Sequence, residues 1–146
     1  MRYILSLTAA ALLAAAGCGG DGPTPPEPQI TQGFWSGTTA SGAPVSFTVS
    51  GDSVTSLELV MIYEFPLTGY VDTVTWNPAD AAISGNAFSM SDSVVSNPSF
   101  TLSLSGSFTP PGQVSGEISS GGTYHPDSST TDTVDVDVSW DATPQN

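Results

Sequence analysis

Hydrophobic and polar residues alternate along much of this chain with the period of two that a half-buried β-strand imposes. The clearest instance is Phe100-Thr101-Leu102-Ser103-Leu104-Ser105, with apolar residues on one face and hydroxyl residues on the other. Val45, Phe47 and Val49 alternate with Ser46, Thr48 and Ser50 in the same way, and Val114, Gly116 and Ile118 with Ser115, Glu117 and Ser119. A further run carries Val134, Val136, Val138 and Trp140 on one face and Asp135, Asp137, Ser139 and Asp141 on the other. The stretch from Ser53 to Phe65 is more apolar. Leu57, Leu59, Met61, Tyr63 and Phe65 share a face, while Val60 and Ile62 fall beside Glu58 and Glu64 and need cover, which a loop is expected to give. Shorter strands are expected from Phe34 to Thr39, from Tyr70 to Trp76, and around Phe88 and Met90. Turn formers separate these runs: Ser41-Gly42-Ala43-Pro44, Gly51-Asp52, Pro66-Leu67-Thr68-Gly69, Asn77-Pro78-Ala79-Asp80 and Pro110-Pro111-Gly112. The stretch Gly121 to Thr131, with Tyr124 and His125, reads as a loop.

No long stretch has the 3.6-residue period of a helix. The pattern predicts an all-β fold, a single antiparallel β-sandwich of about seven to nine strands over residues 30–146. Its core is expected to hold Trp35, Phe47, Val49, Leu57, Leu59, Met61 and Phe88, with Phe100, Leu102, Leu104, Ile118, Val136, Val138 and Trp140.

Residues 1–29 follow a different pattern. Met1-Arg2 is followed by Tyr3 to Ala16, apolar except for Ser6 and Thr8, which has the form of an export signal and is too short to cross a bilayer as a helix. The run Leu12-Leu13-Ala14-Ala15-Ala16-Gly17-Cys18 resembles a bacterial lipobox. That resemblance implies that residues 1–17 are a lipoprotein signal peptide and that Cys18 is acylated, becomes the new N-terminus and holds the protein on a lipid bilayer. Gly19, where that sorting rule would place an Asp for inner-membrane retention, implies the outer membrane or cell surface. Residues 18–29 are rich in Pro and Gly, with no large apolar residue, and form a semi-rigid tether.

Charge narrows the function further. The chain has 14 acidic residues and one residue of the Lys/Arg type, Arg2, for a net charge of −13 at pH 7. Removal of the signal takes Arg2 away and leaves −14. Such a chain has no Lys or Arg with which to neutralise phosphates, which excludes nucleic-acid binding of the usual kind. With no cations to pair with, the acids mostly feel one another. Mutual repulsion predicts raised carboxylate pKa values and a stability that grows as pH falls toward about 4.

Candidate chemistry is sparse. His125 is the only histidine and Cys18 the only cysteine, and no G-x-S-x-G elbow is present. A hydrolase would have to be built from His125 and acids such as Glu58, Glu64, Asp135 and Asp137. A Ca²⁺ site is the stronger candidate: Asp135 and Asp137 project about 6.6 Å apart from one strand face, with Asp132 and Asp127 upstream to add oxygens. Tyr63, Tyr70, Trp76 and Tyr124 lie near strand ends, where they are either a glycan platform or the edge of the core.

Several pieces together resemble a pattern found in small exported bacterial β-domains. They are Gly33-Phe34-Trp35-Ser36-Gly37, Val45-Ser46-Phe47-Thr48-Val49 before Gly51-Asp52, and Ile83-Ser84-Gly85-Asn86-Ala87-Phe88-Ser89, followed by Leu104-Ser105-Gly106-Ser107-Phe108, Val114-Ser115-Gly116-Glu117-Ile118 and Trp140-Asp141-Ala142. The resemblance implies a small all-β domain and carries no catalytic residue. The expectation is therefore an acidic lipoprotein acting as a non-catalytic binding or structural module at the cell envelope, with an unassigned protein or glycan partner. Its rivals are an envelope hydrolase using acidic residues and His125, and a subunit of a surface assembly that docks through Val60 and Ile62 or a sheet edge.

Overall fold

A computed structural model describes Pro26 and residues 29–146. The signal, most of the tether and Cys18 lie outside the described residues. The described residues form nine strands: β1 (Gly33–Thr39), β2 (Pro44–Ser50), β3 (Ser53–Glu64), β4 (Val71–Trp76), β5 (Ala81–Ala82), β6 (Ala87–Val94), β7 (Ser99–Thr109), β8 (Gln113–Tyr124) and β9 (Asp132–Pro144). All pairings are antiparallel, and the strand order is β4-β3-β2-β1-β9-β8-β7-β6, with the short β5 beside β3.

The all-β antiparallel fold is as expected. The two layers of the expected sandwich are the halves of one sheet, joined where β1 pairs with β9, Trp35 opposite Pro144 through Thr39 opposite Trp140. The sheet curls so that its halves face each other across the core. Phe47 of β2 packs against Phe88 of β6 and Trp140 of β9, and Tyr63 of β3 against Phe100 of β7. The curl stops short of a closed barrel, because β4 and β6 do not pair with each other.

Both open edges carry an aspartate on their inward-facing parity: Asp72 lies opposite Tyr63 and Asp92 opposite Leu102. An inward charge on an edge strand disfavours addition of a further strand there.

The core follows the alternation. Trp35, Phe47, Val49, Leu57, Leu59, Met61, Phe88, Phe100, Leu102, Leu104, Ile118 and Trp140 are buried. Val45, Val54, Tyr63, Phe65, Trp76, Met90, Phe108, Val114 and Ala142 join them. Val54 faces inward although it is out of step with Leu57. A register shift between β2 and β3, with Ser56 at φ 53°, inserts the extra residue that changes the phase.

Tyr63 crosses the core. Its hydroxyl bonds Ser120 Oγ and accepts a 3.0 Å hydrogen bond from Trp76 Nε1. Burial pushes the Tyr63 phenol above its usual pKa against the opposing pull of those bonds.

Two expectations need correction. The segment Gly121 to Tyr124 is not loop but the end of β8, paired with β7 and β9 as far as Tyr124 opposite Asp132. Gly122 is a packing residue, since a Cβ there would lie 2.9 Å from the Phe100 ring and 3.0 Å from that of Phe65. Val136 and Val138 face inward as expected but are only half-buried.

Candidate functional site

The meander gives the molecule two distinct ends. The chain enters at one of them: Thr31 bonds Pro111 in the β7–β8 turn, and the Gln32 side chain holds Gly51 in the β2–β3 turn. The opposite end collects the β1–β2, β3–β4, β6–β7 and β8–β9 connections. Ile62, Leu67, Tyr70, Val71, Val94 and Val95 lie at that far end, and among the described residues they are all of the exposed large apolar side chains except Phe34. Val95 is the extreme case, 94% exposed.

Side chains brace these loops. Asp132, the first residue of β9, is buried, and its carboxylate accepts hydrogen bonds from Leu67 N (3.0 Å), Thr68 N (2.7 Å) and Thr68 Oγ1 (2.8 Å). Asn97 clamps the backbone of His125 from both sides, through its Oδ1 and its Nδ2. Asp127 gathers the N–H and hydroxyl groups of Ser129 and Thr130. Tyr70 stacks on Tyr124 at 4.5 Å, with Phe65 against both.

A slot opens in the wall between β3 and β9. The β1–β2 hairpin is short: β2 pairs with β3 no further than Leu59, and β1 with β9 no further than Trp140. Beyond that point β3 and β9 continue with no strand between them. The slot is closed at its base by Ala40 N donating to Ser139 O, and at its top by the bonds of Asp132 to the β3–β4 turn. Its cavity is about 420 Å³, lined by the hairpin turn, Val60, Met61 and Ile62 on one side and Val136 and Val138 on the other. The inward face of β9 is buried at Trp140 and Ala142 and half-exposed at Val134, Val136 and Val138, because β1 ends between them. No loop covers Ile62, which is 67% exposed, contrary to expectation.

The predicted calcium ligands do not converge. The two-residue period puts Asp135 and Asp137 on the outer face of β9 and Asp132 on the inner face, where its oxygens hold the β3–β4 turn. Among the described residues no group of three or more His, Cys, Asp or Glu side chains is placed to hold a metal ion. The ring of His125 faces the hydroxyl of Thr131, 3.2 Å from Nδ1. Glu58 and Glu64 lie six residues apart along the exposed face of β3. Of the four aromatics near strand ends, Tyr63 and Trp76 are core, whereas Tyr70 and Tyr124 stay partly accessible.

Two aspartates depart from the raised pKa values that repulsion predicts. Burial works to raise Asp132, but the bonds from Thr68 and Leu67 outweigh it and hold the carboxyl below its usual value. Asp127 is held low by the hydroxyl and N–H of Ser129 and by Thr130.

A carboxylate lowered by folding stabilises the protein above its unfolded pKa, about 3.9, and that stability is lost as pH falls through the folded value. Asp132→Asn is therefore expected to lower the melting temperature at pH 7, with the deficit shrinking on acidification. Thermal melts from pH 7 to pH 3 read this directly. A deficit independent of pH would mean that the charge on Asp132 plays no part.

No family model, curated protein or solved structure matches the chain.

Proposed function

We propose that the chain is a non-catalytic binding module, held at the cell envelope through acylated Cys18, that meets its partner with the end of the β-domain opposite the tether. The observation that carries this reading is the polarity of the molecule. Exposed apolar residues gather at the end where the loops are braced by Asp132, Asn97 and Asp127, away from Gln29–Gln32 where the chain enters. Exposed apolar residues gathered at one end of a folded domain offer a surface for a partner. The net charge of −14 after loss of the signal favours a neutral or cationic partner over an anionic one.

The test uses the lipidated full-length protein cross-linked on its native envelope. Leu67→Glu with Val95→Glu is expected to abolish the cross-linked species, and Phe34→Glu, toward the tether end, to leave it intact. Loss with Phe34→Glu and retention with the double variant would overturn the orientation. Intact mass of the mature N-terminus tests the anchor separately: an unmodified thiol at Cys18 would refute it, and Cys18→Ser is expected to leave precursor or a released species.

A further inference from the structure

The slot between β3 and β9 has a chemistry of its own, which needs neither the anchor nor a protein partner, although Ile62 borders both the slot and the exposed far end. We infer that the slot is a binding site for an aliphatic chain under an uncharged, hydrogen-bonding head group.

Size and enclosure come first. A cavity of about 420 Å³ falls in the range of small-molecule sites, roughly 300–1,000 Å³. Its mouth is fixed at both ends, by Ala40–Ser139 at the base and Asp132–Thr68 at the top, so little ordering is needed on binding. It is also the place where inward-facing side chains of β9 are reachable from outside.

The lining then selects the ligand. Pro44, Val60, Met61, Ile62, Val136 and Val138 are aliphatic or thioether side chains, and no charged or aromatic side chain lines the cavity. Without a ring there is neither stacking nor a cation–π partner, so aromatic and quaternary ammonium ligands gain nothing specific. The two hydroxyls at the floor are already engaged: Thr39 Oγ1 pairs with Ser41 Oγ at 2.9 Å and accepts from Ala43 N at 3.0 Å.

Polar groups for a head are supplied by the walls. Val60–Glu64 of β3 and Thr133–Val138 of β9 have no strand neighbour on their facing edges, so N–H and C=O groups line the rim. A hydroxyl can both donate to and accept from such a rim, whereas a carboxylate only accepts. Asp135 and Asp137, on either side of Val136, add the repulsion that excludes an anionic head.

The experiment titrates full-length Cys18→Ser protein, which removes competition from its own acyl chain, with 1-decanol and with decanoate at pH 7. Methyl resonances of Met61, Ile62, Val136 and Val138 report occupancy. Decanol is expected to bind saturably and shift these methyls, with decanoate at least tenfold weaker. Val138→Phe, which fills the slot, and Ala43→Leu, which narrows it from the turn, are each expected to weaken decanol at least tenfold, while Phe34→Ala, at the tether end, leaves it unchanged. No saturable shift, equal affinity for decanoate, or decanol binding that survives both filling variants in folded protein would overturn the proposal. Because neither anchor nor partner takes part, a failed titration leaves the cross-linking result standing, and the converse holds.

Discussion

Gly116→Ala is expected to destabilise the domain by more than about 3 kcal/mol, although it adds a single methyl group. Phe88, Gly106, Gly116 and Trp140 stand side by side across β6, β7, β8 and β9. The two glycines leave the space over which the Phe88 and Trp140 rings lie, and Trp140 Nε1 donates to Ser105 O across it. A Cβ on Gly116 would stand 1.8 Å from Ser105 O and 2.7 Å from Trp140 Nε1. The first of these is backbone and cannot move without breaking the β7–β8 ladder. Gly112→Ala is the control, because its Cβ would meet nothing nearer than Pro144 at 3.7 Å and should cost under about 0.5 kcal/mol. Denaturant titration of the two variants decides the matter; similar losses would refute the packing described around Trp140.

Leu102→Ala is expected to cost about 2–5 kcal/mol, the range for truncating a buried leucine. Ser103→Ala, one residue along on the wet face, should cost under about 0.5 kcal/mol. Leu102 is 3% exposed and opposite Asp92 and Ser120, whereas Ser103 is exposed between Ser91 and Ser119. Equal losses would mean that the strand's two faces had been exchanged, as a one-residue slip in register would do.

The β7 pair also shows why so much of the fold was legible in the sequence. Where one face is wet and the other buried, the alternation names both, and β2, β7, β8 and β9 follow it closely. It does not reach the end of β8, where Gly121 to Tyr124 reads as loop. At Gly122 the missing side chain answers to Phe100 and Phe65, which are remote in sequence, so no local pattern reveals it. It failed again at Val54, since a bulge shifts the phase without leaving a mark in composition. Trp76 and Tyr63 looked like strand-end aromatics, but their polar atoms satisfy each other inside the core.

The candidate site was less legible for a related reason. Val60 and Ile62 stood out as apolar residues on a polar face, and they do line the slot. The slot exists, however, because one hairpin is shorter than its neighbours, and relative strand length depends on register rather than on any residue. The predicted calcium ligands foundered on parity. Asp132 is an odd number of residues from Asp135 and from Asp137, so a single strand presents them on opposite sides. What Asp132 does instead, holding the β3–β4 turn, needs Leu67 and Thr68, more than sixty residues away along the chain.

The pairing of β1 with β9 has a consequence for how the domain comes into being. Trp35 finds its neighbour Pro144 only when nearly the whole chain is present, so the loop to be closed is about as long as the domain itself. Contacts so distant in sequence make folding slow relative to a helical protein of the same length. The hairpins from β2 to β4 and from β6 to β9 can zip locally, but β1 has one edge unmatched until β9 arrives. A chain delivered from its N-terminus thus holds an unfinished sheet until its final strand is released, and a premature stop before Trp140 would leave the seam between the two halves permanently open.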